Sequence, residues 1–161
     1  SFDLGYLVAP WPVLNQMIAC KGGGTGALEQ MVVADFMQNQ YEAHVDDLKE
    51  RLKAKRDVLI EALEANFGTK AEFGVPPGGI YLWIKLPPEV DTLKLADAAL
   101  KQGVAFNPGP QWSVDPNAAR NHLRICFANP SEQALRDGVA KLAQICFEET
   151  GIPPRSANVS R

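Results

Sequence analysis

Gly78-Gly79-Ile80-Tyr81-Leu82-Trp83-Ile84-Lys85-Leu86 is the stretch on which the fold turns. Ile80, Leu82, Ile84 and Leu86 alternate with Tyr81, Trp83 and Lys85, the period of two expected of a strand buried on one face. The prolines and glycines of Val75 to Gly79 mark a tight turn into it. Downstream, a helix over 93–102 ends at Gly103, and Val104-Ala105-Phe106 reads as a short strand stopped by Asn107-Pro108-Gly109. His122 to Ala128 reads as another strand. It sets Leu123, Ile125 and Phe127 on one face and Arg124, Cys126 and Ala128 on the other. A last helix starts at Ser131, with Leu135, Val139, Leu142 and Cys146 as its core stripe. The order β-α-β-β-α predicts an α/β protein whose compact unit is an α+β layer.

Upstream of that layer the pattern is helical. A long helix over 45–66 carries Leu48, Leu52, Leu59 and Leu63 on one face, and Gly68 stops it. Before it, Leu4 to Ala9 reads as a strand leading into a helix from Pro12 to Cys20. After the loop Lys21-Gly22-Gly23-Gly24, Thr25 is a candidate cap for a helix with Leu28, Val32 and Phe36 as its apolar stripe. The expected divisions are residues 1–40, then a small domain over 41–150, then a loose tail over 151–161.

Composition narrows the class without naming a chemistry. The 161 residues are 46% hydrophobic and 22% charged with a net charge of −3, which fits a globular chain and excludes a disordered one. That charge leaves no electrostatic footprint for nucleic acid or an anionic membrane. No apolar run approaches the roughly 18 residues of a membrane span. Three scattered cysteines, Cys20, Cys126 and Cys146, read as reduced, buried thiols of a cytoplasmic protein. His44 and His122 are too few for a zinc site, so no metal is expected.

Among single motifs, Lys21 to Ala27 suggests a phosphate loop, but it lacks the preceding strand and the closing lysine and hydroxyl residue. Cys126 and His122 stand more than roughly 10 Å apart along a strand, too far to share a proton. Arg124 carries more. On an apolar strand beside small residues, an arginine either meets an anion, for which its planar fork suits a carboxylate, or reaches solvent from an edge strand. Trp83, Trp112 and Phe106 likewise read either as pocket lining or as core.

Six segments, in order, resemble the C-terminal part of fold-type I, pyridoxal-phosphate-dependent aminotransferases of class I/II, in the branch of the aminoadipate aminotransferases and the MocR-type regulators. They are Leu4 to Val8, Gln30 to Phe36, His44 to Asp57, Pro77 to Trp83, Gly103 to Gly109 and Leu123 to Ala128. Together they cover roughly residues 4 to 147. The resemblance implies a transferase of amino-acid metabolism that moves an amino group between an amino acid and a 2-keto acid. It also implies a full-length homodimer and pyridoxal 5'-phosphate held outside this chain. Residues 1–40 become a remnant of the large cofactor domain and interdomain segment, with Leu4 to Ala9 a strand of its sheet. The C-terminal small domain closes on substrate, and Arg124 takes the α-carboxylate. Gly78 and Gly79 would allow close backbone approach at the active-site mouth.

The family's Schiff-base lysine matches no lysine of this chain, so the chain alone is expected to be inactive and to hold no cofactor covalently. Asp3 stands where the family usually places a phosphate-binding arginine. A carboxylate about 4 Å from a phosphate costs about 4 kcal/mol at an effective dielectric near 20. Two alternatives stay open: the effector-sensing domain of a MocR-type regulator, and a catalytically silent relative.

Overall fold

The computed structural model describes residues 4–24 and 26–154. Asp3, Thr25 and most of the 151–161 tail, all singled out above, lie outside the described residues. Two compact units divide between Asp47 and Leu48, within one continuous helix.

The first unit is helical. α1 spans Trp11–Cys20 with Pro12 in its first turn, and α2 spans Ala27–Asn39. The start of α3, Tyr41–Asn66, completes it. Neither α1 nor α2 buries a residue, and Leu28 of the predicted stripe is 69% exposed. The strand expected over Leu4 to Ala9 is not formed. A strand exists only through hydrogen bonds to a neighbour, and the described residues of this unit include no second strand.

The second unit has the predicted order β-α-β-β-α. β1 is Tyr81–Lys85, α4 Thr92–Lys101, β2 Asn107–Pro108, β3 His122–Cys126 and α5 Glu132–Thr150. The sheet is antiparallel with order β1-β3-β2, so β3 is central. Leu82 faces Ile125, while Ile84 faces Leu123, which in turn faces Pro108. These side chains point to the helices. Leu59 and Leu63 of α3, Leu95 and Ala99 of α4, and Leu135, Val139, Leu142 and Cys146 of α5 share one buried core with them. Each large apolar side chain so buried contributes roughly 1.5–3 kcal/mol. Of the α3 stripe, Leu59 and Leu63 are buried and Leu52 packs on the core, but Leu48 is exposed.

Local chemistry sets the ends of the elements. The Ser131 hydroxyl accepts from the Ala134 amide at 3.2 Å to start α5, and Gly151, at φ +74°, ends it. Asp91 caps α4 through the amides of Leu93 and Lys94. Burial alone would raise its pKa, but those two amides and Arg120 outweigh it and hold the carboxyl below the ordinary 3.8.

The second strand starts later than the expected Val104. With Gly103 at φ +80°, the Val104 amide donates to Ala99 O at 2.9 Å to finish α4, so the chain joins the sheet only at Asn107. Pro108 is tolerated there because β2 is an edge strand.

Gly109 is required by space. A Cβ there would sit 2.5 Å from Ala119 O and 2.6 Å from His122 O. Gly109→Ala should therefore cost roughly 1–3 kcal/mol of stability through overpacking, read as a lower urea midpoint with unchanged m-value.

Candidate functional site

The sheet face turned away from the helices carries the chemistry. Tyr81, Trp83 and Lys85 of β1 pair with Cys126, Arg124 and His122 of β3, all on the face opposite Leu82, Ile84 and Leu123. Arg124 is thus on the central strand, which removes the edge-strand alternative. Its guanidinium carbon lies 3.8 Å from the centroid of the Tyr81 ring and 3.5 Å from that of Trp112. The two rings cover its flat faces and hold the charge by cation–π attraction. Its Nε is buried without a hydrogen-bond partner. The N–H groups of a guanidinium lie in its plane, so a planar anion meets this one along its edge.

Trp112 reaches this place through a short 3-10 turn over Gly109–Gln111, closed by its own amide on Gly109 O at 2.9 Å. The absence of a Cβ at Gly109 lets the turn lie against the entry to β3. Trp83, at 40% exposed, and Trp112, at 53%, belong to this outer face, whereas Phe106 packs against the core. Trp83 stacks on His122 with ring centroids 5.6 Å apart. His122 Nδ1 is buried and unpartnered. Burial first, and the Lys85 charge second, hold the His122 pKa below 6.5, while Glu72 acts in the opposite direction.

The remaining candidates are elsewhere. Gly79 needs its freedom for φ +84°, but a Cβ on Gly78 or Gly79 would meet nothing within 4 Å. Beside that turn a cavity of about 270 Å³ is lined by Lys49, Lys53, Arg56 and Phe127 among others, and Arg56 is engaged by Asp57 and Pro76 O. A larger cavity, about 830 Å³, is lined by residues of 64–75 and takes in no residue of the Arg124 face. Of the cysteines, Cys146 is buried, with its thiol pKa raised by burial, Cys126 is half-buried, and Cys20 is exposed rather than buried as expected.

Sequence alternation placed Tyr81 and Trp83 on the outer face, but nothing in it indicated that Tyr81 and Trp112 clamp the arginine. Their convergence depends on strand pairing and on the turn at Gly109.

Comparison with known proteins assigns the family. The model of "Aminotransferase class I and II" matches residues 2–142. An HTH-type transcriptional regulator of Bacillus subtilis, YdfD, is 30% identical over 149 residues, which are 90% of this chain and 30% of the regulator. The multiple substrate aminotransferase of Thermococcus profundus superposes with a TM-score of 0.73 at 29% identity, over 86% of this chain and 34% of that enzyme. LysN, the α-aminoadipate aminotransferase of Thermus thermophilus, shares the fold with a TM-score of 0.78 at 24% identity, over 88% of this chain and 37% of LysN.

The chain belongs to the class I and II aminotransferase family. It spans about a third of the length of these relatives.

The depressed pKa of His122 fixes a sign. A histidine that is harder to protonate when folded supports stability above its ordinary value of 6.5, and that support is lost as pH falls through this value toward the folded pKa. His122→Phe should keep the stacking and flatten this acid loss, seen as a smaller drop in urea midpoint between about pH 7.5 and about pH 5.

Proposed function

We propose that this chain is the small-domain part of a pyridoxal-phosphate-dependent aminotransferase that moves an amino group between an amino acid and a 2-keto acid. In this reading Arg124 takes the α-carboxylate. The observation that carries it is a charged, planar fork clamped between Tyr81 and Trp112 with its Nε buried and unpaired. An unsatisfied buried donor of this kind costs free energy until an acceptor arrives. A carboxylate lying in the plane of the fork supplies one and is gripped at two points, which fixes its orientation. The flanking rings exclude water from the contact and strengthen it.

This reading keeps the family's Schiff-base lysine outside this chain, as the sequence match implies. Lys85, on the same sheet face as Arg124, is paired with Glu72 at 3.0 Å, and Lys55 and Lys70 donate to the carbonyls of Ala128 and Pro153. The cofactor, its lysine and the partner subunit of a homodimer therefore belong, in this proposal, to parts of a cytoplasmic protein outside this chain. Purified 161-residue chain treated with pyridoxal phosphate and borohydride should yield no stoichiometric lysine adduct, and mass spectrometry of the product checks this.

A second reading, the effector-sensing domain of a transcriptional regulator, is favoured by the likeness to YdfD. Both readings give Arg124 the same anion, and turnover separates them. In the intact protein, Arg124→Ala should raise KM for the amino donor by roughly 10–100-fold, the loss of a charge-assisted carboxylate contact, and Arg124→Lys should recover only part of it. An unchanged KM removes Arg124 from this role. Specific binding of an amino acid without amino transfer in the intact protein would favour the regulator.

A further inference from the structure

Asn107 stands in one row with Arg124. Across the sheet, Trp83 is the partner of Arg124 on β1 and Asn107 is its partner on β2. The adjacent row, Ile84, Leu123 and Pro108, is buried against the helices. Successive residues of a strand point to opposite faces, so Asn107 shares the outer face with Arg124. Directly opposed residues have Cβ atoms about 5 Å apart.

Three features make this asparagine informative. It is half-buried, yet its side-chain amide makes no hydrogen bond among the described residues. Asparagine is disfavoured in strands and usually found where its side chain bonds to nearby backbone, which this one does not do. Its neighbour Arg124 has both flat faces covered by rings, so an incoming carboxylate is confined to the guanidinium plane. A carboxylate offers about four acceptor positions, and a bidentate guanidinium uses two. An adjacent uncharged N–H donor can take a third without adding charge to a face that already carries Arg124.

We propose that the Asn107 side-chain amide donates a hydrogen bond to the carboxylate held by Arg124, as a second binding contact. The proposal rests on the reading that Arg124 binds a carboxylate. Asn107 then adds to the grip of Arg124 on the carboxylate, while the charge of Arg124 selects the anion.

The test uses the ¹⁵N-labelled 161-residue chain titrated with 3-phenylpropanoate, a monocarboxylate with a flat apolar tail suited to the aromatic walls. NMR follows the Arg124 Nε–H and the Asn107 side-chain NH₂ signals, the latter identified by its loss in Asn107→Val. Both signals should shift with one Kd. Asn107→Val should weaken that Kd about tenfold while the thermal midpoint holds, and Asn107→Asp should weaken it further by repulsion. Asn107→Ala replaces the valine variant if that one unfolds, and the same weakening is expected of it. A shift at Arg124 alone, with Kd unchanged in the Val or Ala variant, overturns the role of Asn107 and leaves the Arg124 reading standing. No shift at either residue overturns both.

Discussion

Strand β3 is the constraint on which the folded unit depends. Among the described residues it is the one strand hydrogen-bonded on both sides, to β1 and to β2. Its alternation therefore acts on two faces at once. Leu123, with Phe127 just beyond the strand, anchors the core, while Arg124 stands on the outer face. A register slip of one residue would send the charge into the core and the apolar side chains outward. The same backbone geometry that fixes the core therefore fixes the arginine.

Placing an arginine at the centre of a sheet carries a desolvation cost. Tyr81 and Trp112 offset it by offering their ring faces to the guanidinium, and Trp83 and Asn107 border it along the row. Among the described residues, the two buried side-chain polar atoms left without partners, Arg124 Nε and His122 Nδ1, lie two residues apart on this strand. Elsewhere polar groups that set the fold have partners, nearby in the caps at Asp91 and Ser131 and distant in the chain for the Thr92 hydroxyl on Arg120 O. Unsatisfied polar capacity thus concentrates where the proposed carboxylate would dock.

The two units differ in what holds them. The second has a continuous core shared by three helices and the sheet. The first has helices without a buried residue, and large apolar side chains such as Tyr6, Trp11, Leu28 and Met31 are exposed. Its helices are specified by local signals, Pro12 in a first turn and the glycine loop between them, rather than by packing.

Much of the second unit was legible in the sequence. The alternations of β1 and β3, the α5 stripe and the order β-α-β-β-α rest on side-chain periodicity, which is a local property of the chain. The same local signals misplaced β2 by a few residues, because the Val104 amide is taken by the end of α4. They also assigned a strand to Leu4 to Ala9, where no partner strand exists among the described residues. By itself the sequence determined which residues of β1, β3 and α5 face the core, and it singled out Arg124 as a charge on an apolar strand. Only the tertiary structure decided that this strand is central, that Tyr81 and Trp112 enclose the arginine, and that Asn107 stands beside it. Strand order and register are set by hydrogen bonds between distant segments, and periodicity within one segment carries no information about its partner.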